Sequence, residues 1–364
     1  MTRGRRVRGS ARGGWANVKK ESAVFGDPPL DIYLDQNQWI PLARAFHGRD
    51  SDPVLKQVSE LASRSVSSGD VRFPISRLHL MEATKTADDA QRRRLIEAFL
   101  HFGRGWVVRP VELLHAEELL CWLRGKTPRA SSAVDRGLLA AFSGPTAAAL
   151  QLGVSPQEVE DLNRFGDSPG AWYFALTMPG FHATVDQIQA AAQKYASQVE
   201  EVRGPWSKLP RTERRTIFAE GLVRDTIASL QPPSSELQCA ISRLSALRSG
   251  ELLDVIARIP TMDVLFVLSE RKTRDLSRAT DPNDLWDLGF LAAVVPYCHV
   301  VVTEKYWTHL ARTTRLDAKY NTRILSRLEN LLPVLEERVN PGRQSGNGGG
   351  SAQHDGQPRG PADG

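Results

Sequence analysis

Short apolar segments that alternate with helical patterns, at both ends of the chain, constrain the fold more than any other feature of the sequence. Residues 31–35, 71–75, 106–111 and 299–303 have the β-branched and aromatic content of buried strands. Between them, apolar residues recur at spacings of three and four, which is typical of amphipathic helices. Strands that are separated by helices pair side by side in parallel. The sequence therefore predicts an α/β fold with a central, mainly parallel sheet.

The middle of the chain has a different character. Residues 112–261 follow a largely helical pattern that is interrupted by Gly-Pro, Ser-Pro and Pro-Pro pairs. Since the strand patterns lie on either side of this stretch, the two ends of the chain have to meet to complete one sheet. We therefore predict a discontinuous domain formed by 29–111 and 262–338, with 112–261 as a largely α-helical insertion. A helix over 317–331 closes the predicted domain.

Both termini lack the apolar residues that a folded core needs. Residues 1–28 form a basic arm, and the first 20 of them contain seven Lys and Arg and no acid. Residues 339–364 are rich in Gly and Pro. We predict that both segments are disordered. The arm accounts for the formal net charge of +5; it can attract phosphate backbones without specificity, although a solubilising terminus is the simpler interpretation.

Composition argues against several classes of protein. The three cysteines are far apart and form no CxxC pair, which argues against a disulfide framework and a thiolate zinc site. No apolar run reaches the roughly 18 residues of a membrane helix, and no apolar segment follows the basic start as in a secretory signal. The sequence therefore predicts a cytoplasmic protein with no membrane partner.

Four acidic residues lie at the predicted carboxyl ends of strands or in the helices next to them. Asp35 ends the first strand, and Glu304 follows the fourth. Glu82 lies in the second turn of the helix after the second strand, and Asp287 in the second turn of the helix before the fourth. Because ligands of parallel α/β sheets bind beyond the carboxyl ends of the strands, we expect these four side chains to face one crevice.

A cluster of carboxylates is unfavourable unless a cation compensates it. Like charges a few ångströms apart repel one another and raise pKa values. Mg²⁺ and Mn²⁺ prefer oxygen ligands, and such ions can activate water for phosphodiester cleavage. We therefore predict a Mg²⁺ or Mn²⁺ site with the four acids as ligands and Asp284, one turn before Asp287, in reserve. The chemistry that this predicts is metal-assisted hydrolysis of nucleic acid.

Each acid also has a purely structural interpretation. Asp35 can accept hydrogen bonds in a turn, and Glu82 can be one more solvated helix residue. Asp287 can complement a helix dipole, and Glu304 can pair with Lys305. The four acids together favour the metal site more than any one of them does alone.

Basic residues near the predicted site are candidates for contact with phosphate. Arg271, Lys272 and Arg274 form a cluster just before the helix that carries Asp287, and Lys305 follows Glu304. A nuclease site that is rich in acids needs nearby cations to hold its substrate, so we predict that these four residues bind it. A solvated helix face explains the cluster equally well.

Three short stretches, 34–39, 76–82 and 284–307, resemble the PIN-domain superfamily of metal-dependent ribonucleases. The first has a strand-ending aspartate followed by Asn37, and the last has an aspartate on a helix followed by an apolar strand and a Thr-acid pair. The resemblance implies a three-layer fold, a Mg²⁺ or Mn²⁺ site, and endonucleolytic cleavage of RNA that leaves a 5′-phosphate and a 3′-hydroxyl. It also implies that Asn37 orients Asp35 or the attacking water.

The chain departs from the family pattern in two ways. Lys305 stands where many members have their last acid, and the insertion is larger than in small members. Three alternatives therefore remain open at this point. They are a noncatalytic PIN-fold module that binds RNA or a protein, the toxin of a toxin–antitoxin pair with a protein inhibitor, and a nuclease that acts on DNA.

Overall fold

A computed structural model describes residues 28–86, 88–128, 133–142, 144–164, 169–230 and 234–339. Apart from Pro28 and Val339, the predicted basic arm and the predicted Gly- and Pro-rich tail lie outside these residues. The described part is a mixed α/β structure in which helices predominate. Within it, no helix is both long and apolar enough to cross a membrane.

The predicted parallel sheet is present, and its strands come from both ends of the chain. Four parallel strands pair in the order β2-β1-β5-β6; they are β1 (Leu30–Leu34), β2 (Val71–Arg72), β5 (Val300–Val302) and β6 (Arg323–Leu325). The register places Ile32 opposite Val300 and Leu34 opposite Val302. The two ends of the chain therefore meet at the centre of the sheet.

Both faces of this sheet are buried, because side chains alternate along each strand. Ile32, Leu34, Val300 and Val302 belong to one apolar cluster. Tyr33, between the first two, belongs to a second cluster, together with Val301 and Ile324. Helices cover the sheet on each side, which gives the three layers expected of an α/β fold.

The helices of the amino-terminal part begin and end at residues that the sequence marks. They are α1 (Gln36–Phe46), α2 (Pro53–Ser68), α3 (Arg77–Thr84) and α4 (Asp89–Gly103). The Asp52 carboxylate accepts the N–H groups of Val54 and Leu55 at the start of α2. Gly69 ends α2 in the left-handed region, with φ at 82°, where a residue without Cβ is favoured.

The carboxyl-terminal part differs from the prediction in one element. Its helices are α13 (Pro260–Arg274), α14 (Pro282–Val294), α15 (Lys305–Thr313), α16 (Leu316–Tyr320) and α17 (Leu332–Val339). The single closing helix that we predicted over 317–331 is wrong, because α16 ends at Tyr320 and is followed by β6 and a short 3₁₀ helix (Leu328–Leu331). The edge of β5 offers backbone partners to Arg323–Leu325, and this pairing outweighs the helical pattern.

The third predicted strand does not join the four-stranded sheet as a full member. Strand β3 (Trp106–Val108) pairs antiparallel with β4 (Val134–Arg136). Its link to the segment after β2 is one parallel bridge, between Ile75 and Val107. The prediction of a strand is confirmed here, but its place in the main sheet is corrected.

The middle of the chain is mostly helical, as predicted. Helix α5 (Val111–Leu123) comes first and is followed, after β4, by a 3₁₀ helix (Leu138–Phe142). The remaining helices of this region are α6 (Pro145–Leu152), α7 (Pro156–Arg164), α8 (Pro169–Thr177), α9 (Pro179–Ser207), α10 (Arg211–Ser229), α11 (Ser235–Ser245) and α12 (Ser249–Ile256). Phe142, Trp172 and Phe181 share an apolar cluster with Ile32 of the sheet. The part of the middle region from Leu138 to α9 thus contributes to the core of the sheet, whereas α10, α11 and α12 pack in a separate apolar cluster with α5 and α13.

Candidate metal centre

Two of the predicted acids follow neighbouring parallel strands at the carboxyl edge of the sheet. Asp35 comes directly after β1 and caps α1, and Glu304 caps α15 two residues after β5. The backbone N–H of Asp35 donates to the carbonyl oxygen of Val302 at 2.9 Å, which ties the ends of the two strands together. The topology of the sheet therefore places both residues at one edge.

The other two acids occupy equivalent positions on helices that approach the same edge. Glu82 is the sixth residue of α3, and Asp287 is the sixth residue of α14. Helix α3 begins after Ser76, whose backbone N–H donates to Nδ1 of His79 at 3.0 Å. Helix α14 begins after Asp281, whose side chain accepts the N–H of Asn283 at 2.8 Å. These caps fix where each helix starts.

Neutral donors hold three of the four carboxylates. The hydroxyl of Thr303 donates to Oδ2 of Asp35 at 3.2 Å, and the indole N–H of Trp307 donates to Oδ2 of Asp287 at 2.7 Å. The side-chain amide of Asn37 donates to Oε1 of Glu304 at 2.6 Å. The backbone N–H of Asn37 lies 3.4 Å from Oδ1 of Asp35. Asn37 therefore connects the two strand-end acids.

The pKa values indicate that the four carboxylates act on one another. Burial raises the pKa of Asp287 to about 8, with further contributions from the charges of Asp35, Glu304 and Glu82. Burial also raises the pKa of Glu82 to about 7, and the charges of Asp35 and Glu304 add to that effect. The pKa of Asp35 is raised first by burial and then by Glu304. The structure thus brings the four predicted acids into one electrostatic cluster, which we call the carboxylate cluster.

No protein cation is paired with this cluster in the part of the chain that the structure describes. The ion pairs between described residues include none of its four carboxylates. The nearest compensation is Lys85, whose charge lowers the pKa of Glu82 without forming an ion pair. One buried oxygen of Glu82, Oε2, has no hydrogen-bond partner. Buried carboxylates are normally paired or bound to a metal, and the described residues supply no ion-pair partner for these four.

The donor set fits a hard divalent cation. All four side chains offer carboxylate oxygens, which Mg²⁺ and Mn²⁺ prefer, and the unpartnered Glu82 oxygen is free to act as a ligand. Among the described residues, no three His, Cys, Asp or Glu side chains lie so that they would enclose one ion as they stand. Mg²⁺ needs no such cage, because one or two carboxylates with water and phosphate oxygens usually hold it.

Comparison with known proteins gives no independent assignment of this arrangement. No family model, curated protein or solved structure matches the chain. The resemblance to the PIN-domain superfamily therefore stays a prediction that rests on the short stretches around Asp35, Glu82 and Asp287. What the structure adds is the convergence of these residues at one edge of a parallel sheet.

Asp284 does not belong to the carboxylate cluster, which corrects its predicted role as a reserve ligand. It is 1% exposed, and its Oδ2 lies 2.9 Å from Nζ of Lys272, which is itself 3% exposed. Its Oδ1 lies 2.8 Å from the guanidinium of Arg278. The same ion pair corrects the predicted role of Lys272, because a buried and paired ammonium group cannot reach a phosphate. Both residues hold α13 against α14.

The other basic residues predicted to bind substrate are differently placed. Lys305 is exposed at the first position of α15, next to Glu304. Arg274 is exposed, with its guanidinium 3.8 Å from the carboxylate of Glu270, and Arg271 is half-buried. These three positions leave the prediction of phosphate contact open, and Lys305 is the one adjacent in sequence to a member of the carboxylate cluster.

Two contributors to the site do not stand out in the sequence. Trp307 is fully buried, and its indole N–H holds Asp287. Lys85 lies three residues after Glu82 on one helix face, and this spacing was a usable signal. His79, three residues before Glu82, is fully buried and stacks against Tyr33 with 5.1 Å between ring centroids.

Proposed function

We propose that this protein is a metal-dependent nuclease that hydrolyses phosphodiester bonds of RNA at the carboxylate cluster. One observation carries the proposal: Asp35, Glu82, Asp287 and Glu304 come from four separate elements and lie close enough that burial and the charges of neighbouring members raise the pKa values of Asp35, Glu82 and Asp287, with no cation paired to the four among the described residues. Such an arrangement opposes stability in the protein alone, and it is favourable with a divalent cation.

The four carboxylates would hold Mg²⁺ or Mn²⁺. When bound, such an ion lowers the pKa of a water molecule and stabilises the negative charge of the leaving oxygen. The chain itself orients its ligands: Thr303 fixes one oxygen of Asp35, Trp307 fixes one oxygen of Asp287, and Asn37 fixes one oxygen of Glu304. Oδ1 of Asp287 and Oε2 of Glu304 stay available as ligands, whereas Oδ1 of Asp35 also faces the backbone N–H of Asn37 at 3.4 Å.

The exposure of the four acids and the charge of nearby lysines also support a polyanionic substrate. The four acids are partly exposed rather than sealed in the core. Lys85 and Lys305 are exposed, and each lies within three residues of a cluster member. Ammonium groups at these positions attract the phosphate backbone without reading its sequence. RNA is the substrate that the family resemblance implies, and DNA is the alternative that the experiment separates.

The deciding experiment compares cleavage of a labelled RNA and a single-stranded DNA of the same sequence in Mn²⁺, Mg²⁺ and EDTA. The wild-type chain is expected to cut RNA internally only with a divalent ion. Asp35→Asn and Asp287→Asn are each expected to reduce cutting to background. Glu160→Gln, which removes one exposed carboxylate from α7, is the matched control and should cut like the wild type. Equal cutting by Asp35→Asn and wild type would refute the proposal.

One observation favours a second candidate, a noncatalytic module that binds RNA or a protein. As the side chains lie, no three potential ligands among the described residues enclose an ion. Calorimetric titration with Mn²⁺ separates the two candidates. The nuclease should take up the ion in a way that Asp287→Asn weakens, whereas a noncatalytic module should bind RNA equally well in EDTA and show no uptake that depends on these acids.

A further inference from the structure

A cavity of about 430 Å³ lies between the middle helices and α3, α13 and α14, and no member of the carboxylate cluster belongs to its lining, although α3 and α14 also carry Glu82 and Asp287. Residues of α3, α5, α9, α10, α13 and α14 line it. This volume lies within the range of pockets that hold small organic ligands, roughly 300–1,000 Å³. The cavity is therefore large enough for a molecule rather than for isolated waters.

Most of the cavity wall is apolar. Each of five lining helices contributes large apolar side chains, for example Leu78, Val199, Phe218, Leu265 and Phe290. Val202 and Ile217 also belong to the lining and are 39% and 37% exposed, so the wall reaches solvent through an apolar rim. Such a wall favours an apolar occupant that can enter from outside.

Charged residues also belong to the lining, among them Arg77, Arg109, Arg224 and Asp225, and two polar groups of the lining share one face of α5. His115 lines the cavity, is 4% exposed, and neither of its ring nitrogens has a hydrogen-bond partner. Glu112, three residues earlier, lies on the same helix face, and its buried Oε2 also has no partner. Buried polar atoms normally find a partner, so this face of α5 lacks one.

The charged residues of the lining have ion-pair partners, since Arg109 pairs with Glu117 and Arg224 lies 3.8 Å from Asp225. The Oε1 atom of Glu112 lies 3.3 Å from the guanidinium of Arg77. Burial lowers the pKa of His115 to about 4, so that its ring is neutral at pH 7, with one nitrogen as donor and the other as acceptor. Glu112 Oε2 and one nitrogen of His115 are thus hydrogen-bond acceptors without a donor. A charged occupant would lose its hydration in a mostly apolar cavity, which favours an uncharged one.

We propose that this cavity binds a small, uncharged, mostly apolar molecule that carries a hydrogen-bond donor for Glu112 and His115. The proposal goes beyond the nuclease function and does not depend on it. Gly289 of α14 supports the presence of free space, because a Cβ at this position would meet no heavy atom within 4 Å. The space beside Gly289 therefore accommodates a larger side chain at this position.

The first experiment measures binding of N-phenyl-1-naphthylamine, an uncharged aromatic probe with one N–H donor, to the full chain. Its fluorescence should rise and saturate at one probe per chain. Gly289→Leu places a side chain in the cavity and should weaken binding by about ten-fold or more. Gly250→Leu makes the same change at an exposed glycine of α12 that also has no neighbour within 4 Å, and it should leave binding unchanged.

The second experiment tests the polar end of the cavity. His115→Leu keeps a similar volume and removes the ring nitrogens. It should weaken N-phenyl-1-naphthylamine about three- to ten-fold relative to 1-phenylnaphthalene, which lacks the donor and is measured by displacement. Circular dichroism and the thermal midpoint of each variant exclude unfolding. Absence of saturable binding, equal binding by Gly289→Leu, or an unchanged ratio of the two probes in His115→Leu would overturn the proposal.

Discussion

Burial and mutual repulsion oppose the ionisation of the carboxylate cluster. A carboxyl whose pKa is higher in the folded than in the unfolded chain retains a proton that the unfolded chain has already lost. For Asp287, with a folded pKa of about 8, this makes the free energy of unfolding fall as pH rises from the unfolded value near 4 towards 8. The metal-free protein is therefore less stable at neutral pH than at about pH 4 as far as Asp287 is concerned.

Asp287→Asn should remove this part of the pH dependence. The amide oxygen can still accept the indole N–H of Trp307, and no charge has to be buried. In EDTA at pH 8 the variant is expected to be more stable than wild type by about 2 kcal/mol, with the difference largely gone at pH 5. Urea unfolding at the two pH values measures it. An identical loss of stability in both proteins between pH 5 and pH 8 would contradict the assignment.

Uptake of a divalent ion should release protons from the same residues. At pH 7, Glu82 and Asp287 are partly protonated, because their pKa values are about 7 and about 8. Since metal ligands have to be deprotonated, Mn²⁺ binding at pH 7 should release on the order of one proton per chain and weaken as pH falls. Calorimetry in two buffers of different ionisation enthalpy measures the proton count, and Asp287→Asn should lower it. A count of zero in the wild type would refute the linkage.

The sequence reveals the carboxylate cluster more completely than it reveals the contacts of single residues. Asp35 and Glu304 could be placed because each follows an apolar strand. The contacts of Asp284 could not be predicted. Helical spacing places it one turn from Asp287, but it does not indicate that Lys272 approaches it from another helix. Contacts across elements decide which acid is a ligand and which is one half of an ion pair.

Elements that carry their own start and stop signals are the ones that could be predicted. Helix α14 has such signals, because an acid at the N-cap, Asp281, and a proline at the first helical position, Pro282, mark its start in the sequence. Strands β4 and β6 were missed, since each has three residues and no apolar run of its own to mark it. Pairing with β3 and β5, rather than local preference, makes them strands.

The cap of α14 can be tested at this scale. Asp281→Ala removes the side-chain acceptor of the Asn283 N–H and should lower the free energy of unfolding by about 1 kcal/mol. Asp281→Ser keeps an acceptor and should cost much less. Urea unfolding of the three proteins in EDTA gives the comparison. Equal losses for Ala and Ser would indicate that the cap does not stabilise the helix that carries Asp287.

At the scale of the whole molecule, the middle region and the sheet share a core. Phe142 and Phe181, from the middle region, pack edge to face with 5.7 Å between their ring centroids and belong to the same cluster as Ile32 and Val302. An insertion that folded as a separate unit would keep its apolar residues in a core of its own. The shared cluster therefore predicts that the part of the middle region from Leu138 to α9 unfolds with the sheet, whereas α10, α11 and α12 pack in a third apolar cluster that reaches Met262 and Phe266 of α13.

Phe181→Ala tests this cooperativity. The side chain is fully buried, so its removal should lower the free energy of unfolding by about 3–5 kcal/mol. Phe174→Ala makes the same change at a side chain that is 48% exposed and should cost no more than about 0.5 kcal/mol. Hydrogen exchange should show the loss of protection in Phe181→Ala at the amides of β1 and β5 as well as in α9. Loss confined to the middle helices would mean that this region unfolds alone, and the division at 112–261 would then describe a separate folding unit.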